Sequence, residues 1–109
     1  IEERTYLRFY GLLGERFCKI KDVYKENFEY QFEQQYQKVH RLETNKLRNL
    51  AKLFAHLFYT DAIDWSAFKV VKLTEEDTTS SSRIFIKIIC QEVIIIINKS
   101  FSFLFLFLF

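Results

Sequence analysis

The sequence has no proline and no methionine, and only two glycines, two cysteines and two histidines. The absence of proline suits long unbroken helices. Two cysteines form neither a disulfide framework nor a four-ligand zinc site. Cys18 and Cys90 are therefore expected as buried reduced thiols, because free cysteine packs as a small hydrophobe. Gly11 and Gly14, in GLLG, lack the spacing of a phosphate loop or a dinucleotide fingerprint. Set three apart in a helical segment, they suit close helix packing, at about 1 kcal/mol each relative to alanine. His40 and His56 lack the HExxH spacing of a helical metal site, and His56 is expected as a structural histidine. Charge of one sign is also missing: 16 Lys and Arg against 14 Asp and Glu leave a formal +2, so no global electrostatic case for nucleic acid arises. No set of nucleophile, base and orienting group is visible. The residues argue against an enzyme and suggest no cofactor, no metal and no small-molecule substrate.

What is present is apolar and periodic. Half of the 109 residues are hydrophobic and 18% are aromatic, too much burial potential for a disordered chain and enough for one core. Residues 1–3 run straight from Ile1 into charge, with no signal-peptide core, and are expected to be the cut end of a longer chain. Tyr6, Phe9, Tyr10, Leu13 and Phe17 predict an inward face on a first helix over about 4–19. A second helix over about 22–41 has Asp22 as its N-cap. Its stripe is Tyr24, Phe28, Phe32, Tyr36 and Val39, with Lys25, Glu29, Glu33 and Gln37 left to solvent. A third helix, about 44–60, has Thr44 as its N-cap and buries Leu47, Leu50, Ala51, Phe54, Leu57 and Phe58. A short fourth, about 64–72, is capped by Asp64 and turns Trp65, Phe68 and Val71 inward. A polar connector, TEEDTTSSS (74–82), follows, and a serine among 80–82 is expected to cap a fifth helix from Arg83 to about Glu92.

The run IFIKIICQEVIIII (84–97) is ambiguous by composition, since β-branched residues favour strands. A lone strand would have no partner, so it is assigned to helix as far as about Glu92. The fold class is thus all-α. Antiparallel helical hairpins would bury their stripes pairwise, as in HEAT/ARM-like repeats.

One cluster stands out as a candidate macromolecular contact patch. Lys38, His40, Arg41, Lys46, Arg48 and Lys52 gather around one helix junction, with Glu43 as the only acid. Arg41, Arg48 and Lys52 would share a face if the two helices ran nearly continuously. Such a patch can meet RNA phosphates or an acidic protein; it is also what the charged side of an ordinary amphipathic helix looks like. Glu75, Glu76 and Asp77 read as a solvated loop, with Thr74 beside them as a candidate site for an acidophilic kinase.

The segments RTYLRFYGLLGERFC (4–18), HRLETNKLRNLAKLFAHLFYTDAI (40–63) and KLTEEDTTSSSRIFIKI (72–88) resemble the MA-three (MI) domain of the nucampholin family of pre-mRNA-splicing factors. The similarity spans about 4–92. It implies a stack of helical hairpins, incomplete here at its C-terminal side, acting as a non-catalytic scaffold of the spliceosome in the nucleus. It also implies support of splicing and of exon junction complex assembly. Implied partners are spliceosomal proteins and the DEAD-box helicase of the exon junction complex, the latter held mainly by a neighbouring domain absent here. Related MA-three domains bind such helicases in translational control, which is the alternative function. Asp64 stands where the family usually has proline, a mild change because Asp also caps helices.

The second departure is larger. From Val93 the chain reads VIIIINKSFSFLFLFLF (93–109), unlike the family. Valine codons begin with GT, as introns do, and the phenylalanine, serine and leucine at the end can all be written in pyrimidines. Translated intron is therefore one expectation for this tail. A membrane anchor is the competing one, disfavoured by Asn98, Lys99, Ser100 and Ser102. With the family's last helices missing, the unit is expected to be marginally stable or oligomeric.

Overall fold

A computed structural model describes residues 8–71 and 79–108, with side-chain surroundings for 8–71 and 79–99. Those residues form four α-helices and two 3-10 turns: α1 (Arg8–Ile20), α2 (Asp22–Lys38), a turn at Val39–Arg41, α3 (Thr44–Tyr59), a turn at Trp65–Val70, and α4 (Ser80–Leu108). The described residues contain no strand, so the chain is all-helical.

Helix α3 organises the rest. Leu47, Ala51, Phe54, Ala55, Leu57 and Phe58 are buried along it, and it pairs most extensively with α4 and also with α1. At about 100° per residue these six span nearly half of its circumference, and buried Asn49 extends the covered arc further, as a central helix requires. Phe32 of α2, fully buried, packs against it. Its ring lies edge-on to Phe54 at 5.1 Å and to Phe58 at 5.0 Å, and stacks against Phe85 of α4 at 6.3 Å. Such aromatic pairs add about 0.5–1.5 kcal/mol each beyond their buried area. The hydroxyl of neighbouring Tyr36 is buried and has no hydrogen-bond partner among the described residues.

Helix ends follow local chemistry, with several departures from the expected caps. Lys21, in extended conformation, is the single residue between α1 and α2, and Asp22 is the first residue of α2 rather than its cap. There its carboxylate still favours the positive end of the helix dipole. Thr44, expected as the cap of α3, is its first residue; the cap position is Glu43, which makes no side-chain cap bond. Asp64 does cap, accepting from Ser66 N–H at 3.0 Å, but the segment it starts is a 3-10 turn rather than an α-helix. At the start of α4 the cap is Thr79, not a serine of 80–82. The Ser82 N–H donates to Thr79 Oγ1 at 3.1 Å while the Thr79 N–H donates to Ser82 Oγ at 2.9 Å, a reciprocal capping box.

The end of α3 carries a device that hydrophobic periodicity does not reveal. Ala62 N–H donates to Leu57 O at 3.0 Å and Asp61 N–H to Phe58 O at 3.2 Å. Asp61 has φ of 58°. This is a Schellman motif with Asp at the left-handed position that glycine normally fills.

Two expectations about faces and ends are overturned. In α1 the residues turned inward are Gly11, Gly14 and Cys18, while Phe9, Tyr10, Leu13 and Phe17 are 38–63% exposed. The two glycines let α1 pack through its small side, so the bulky stripe faces out. The fifth predicted helix does not end at Glu92: α4 runs unbroken to Leu108. Its isoleucine run has no strand partner, and only a helix satisfies its backbone locally. Among the described residues, no helix is long and apolar enough to cross a membrane. The acidic triplet 75–77 and Thr74 lie outside the described residues.

Candidate interaction site

The predicted basic cluster sits at the corner joining α2 to α3. Lys38 ends α2, and His40 and Arg41 occupy the 3-10 turn; all three are exposed. Cations at the C-terminal end of a helix are favoured by its dipole, which gives them a structural role as well. Leu42 and Glu43 are then extended, with ψ of 140° and 151°. The two helices are therefore not continuous, and the condition that would align Arg41 with Arg48 and Lys52 is absent.

Helix geometry divides the rest of the cluster. At about 100° per residue, Lys46 and Arg48 project from nearly opposite sides of α3. Arg48 and Lys52, four apart, share one side, Arg48 exposed and Lys52 half-buried. Lys46 belongs to a different feature. It lines a cavity of about 340 Å³ between α2 and α3, together with Phe28, Gln31, Gln35, Leu42, Leu50, Leu53 and Phe54. The structure thus brings Lys38, Arg41 and Lys46 to one corner and sets Arg48 and Lys52 apart.

The groove exists because α2 and α3 meet through large rings at Phe32, Phe54 and Phe58. These hold the helix axes apart beside them. Its floor is apolar and its rim polar. Gln31, Gln35 and Lys38 fall at i, i+4 and i+7 on α2, while Lys46, Leu50 and Leu53 do so on α3. The i+4 rhythm was visible in the sequence, but the gap between the helices was not, because it depends on which rings meet.

A second polar contact fixes α1. Glu15 accepts from Lys19 Nζ at 2.9 Å and lies 2.9 Å from His56 Nε2 on α3. The Lys19 hydrogen bond holds the Glu15 carboxyl below its ordinary range, against an opposing effect of burial and with help from His56. His56 is thus a structural histidine, as expected. Burial, and then the nearby Glu29 carboxylate, push the Cys18 thiol up, which makes it inert. Cys90, expected to be buried, is exposed on α4. Glu29, expected in solvent, is half-buried and accepts from Asp64 N–H at 3.0 Å, tying α2 to the turn after α3. Lys25 and Glu33 are half-buried too.

The aromatics are not all core residues either. Phe9, Phe17, Tyr24, Tyr30 and Trp65 are each at least 39% exposed. Of these, Phe9, Phe17 and Tyr24 join Leu12, Leu13, Ile20 and Val23 in an apolar surface on α1 and the start of α2. Among the described residues, no three of His, Cys, Asp and Glu are grouped to hold a metal ion.

The sequence model of the family described as "MA3 domain" matches residues 1–64. The chain belongs to the MA3 domain family. The part matched by the MA3 model includes α1, α2, α3 and the corner with its groove. Beyond that match, the chain is 60% identical over 92 residues to proteins named "Pre-mRNA-splicing factor CWC22 homolog" from Mus musculus and Homo sapiens, covering 84% of this chain and 10% of each relative. It is 53% identical over 93 residues to "Pre-mRNA-splicing factor cwf22" of Schizosaccharomyces pombe, covering 85% of this chain and 10% of that protein. This MA3 chain therefore spans about a tenth of the length of the curated relatives it matches.

Proposed function

We propose that the chain is a non-catalytic, protein-contacting module of a pre-mRNA-splicing factor, working in the nucleus as part of the spliceosome. The observation that carries this is the 53–60% identity to splicing factors from mouse to fission yeast over most of the chain. The surface supports a protein-contacting role: α1 exposes large apolar side chains and α2 and α3 enclose an apolar groove, features that mark protein interfaces. Support of exon junction complex assembly is part of this proposal, as the resemblance to the nucampholin family implies. In this reading the DEAD-box helicase of that complex is held mainly by another part of the longer protein. The basic corner at Lys38, Arg41 and Lys46 is a contact for acidic protein surfaces before RNA, because Arg48 and Lys52 lie elsewhere and do not extend it into a stripe.

Capture from nuclear extract treated with ribonuclease tests the reading. Spliceosomal proteins retained on the immobilised chain are the expected result. Retention of a translation-initiation helicase alone would move the assignment to translational control, and loss of all partners with ribonuclease would make RNA the contact.

A further inference from the structure

We infer that the groove between α2 and α3 seats an acidic amphipathic segment of a protein partner; this rests on the protein-contacting reading above. The floor, built by Phe28, Leu50 and Leu53, offers about 340 Å³, near the lower end of ligand sites. That volume accepts one or two large apolar side chains rather than a cofactor. The groove is open along its length between two helices, the shape that takes anchors from an amphipathic helix at i and i+4.

Charge selects the segment. No carboxylate is among the described residues that line the groove: on α2 these are Phe28, Gln31 and Gln35, and on α3 they include Lys46, Leu50 and Leu53. Glu29 and Glu33 project away from the groove on α2, since they sit about 120–160° around the helix from Gln31 and Gln35. At the corner, Glu43 is outnumbered by Lys38, Arg41 and Lys46. A partner segment with aliphatic or aromatic anchors and carboxylates toward the corner satisfies both halves of the site. Gln31 and Gln35 supply amide donors and acceptors for its polar edge. RNA fits less well, because the only cation among the described residues lining the groove is Lys46, and no row of cations runs along it to track a phosphate backbone.

The test is selection of peptides of about 12 residues from a random library against the whole chain, followed by fluorescence anisotropy on the enriched sequences. Enrichment of peptides combining Leu, Ile, Phe or Trp with Asp or Glu is expected. Their affinity should fall about tenfold on Lys46→Glu and on Gln35→Glu, and change less than about twofold on Lys52→Glu, a residue outside the groove. Unchanged helicity and melting of each variant exclude misfolding. Enrichment of basic or uncharged peptides, no enrichment, or insensitivity to Lys46→Glu overturns the inference. A Lys46→Glu chain that loses the peptides yet still captures spliceosomal proteins from nuclear extract also overturns the groove as their seat. It leaves the splicing role standing, whereas an unmutated chain that captures none of them removes that role whatever the groove binds.

Discussion

Replacing Gly14 with alanine measures how closely α1 lies on its neighbours. Gly14 is buried in the middle of α1. A Cβ at this position would stand 3.4 Å from Leu57 Cδ2 and 3.5 Å from Phe28 Cζ. These are ordinary contacts, made by ends of side chains rather than by backbone. Alanine in a helix interior is favoured over glycine by about 1 kcal/mol, and a newly buried methyl adds at most about 0.8 kcal/mol. A small adjustment of Leu57 takes some of this back. The expected net effect is stabilisation of about 0.5–1.5 kcal/mol. It is read as a higher urea midpoint at unchanged slope, followed by far-UV circular dichroism. Gly14→Leu has no room and should destabilise by about 1–3 kcal/mol. If Gly14→Ala itself destabilised by more than about 1 kcal/mol, α1 would have to sit nearer to α3 than described, and the reading of the inward face would fail.

Other outcomes follow from the same structure. Thr79→Ala should lower stability by about 1 kcal/mol by opening the capping box of α4, visible as a lower urea midpoint, and Ser82→Ala should add little once Thr79 is gone. Asp61→Gly should stabilise by up to about 1 kcal/mol, because glycine adopts the left-handed conformation without strain, whereas Asp61→Val should destabilise by more than that. Glu15 has a depressed pKa in the folded state, so its contribution is present above its ordinary value of 4.5 and is lost as pH falls through the lower folded value. Glu15→Gln should therefore flatten the acid side of the melting temperature against pH curve and lower stability at neutral pH. Size-exclusion and melting of residues 1–92 with and without the family's further helices should show the shorter form to be less stable or associated.

Hydrophobic period located α2 and α3 to within a few residues, because long aromatic and leucine rows leave few alternative packings. It failed at α1 for a definable reason. The rows Phe9, Leu13, Phe17 and Gly11, Gly14, Cys18 run on opposite sides of one helix. Choosing the larger side chains assumes that burial of area decides, whereas close approach of backbones decided here. The segment after Asp64 is a 3-10 turn because its six residues are too few to sustain an α-helix. Composition left 84–97 open between strand and helix, and absence of a pairing strand settled it. The basic corner was legible as a cluster but not as a shape: which cations share a surface depends on the extended pair Leu42 and Glu43, which no propensity marks. The groove was not legible at all, since it follows from the spacing imposed by Phe32 against Phe54 and Phe58.

The most direct measurement is functional exchange in fission yeast. The matching stretch of the cwf22 protein, 53% identical over 93 residues, is replaced by this chain's residues and intron retention is measured across the transcriptome. Retention at the level of the unaltered strain is the expected result. Retention equal to that of a strain lacking the stretch, with the chimaera present at normal abundance, would contradict a splicing role for this helical unit.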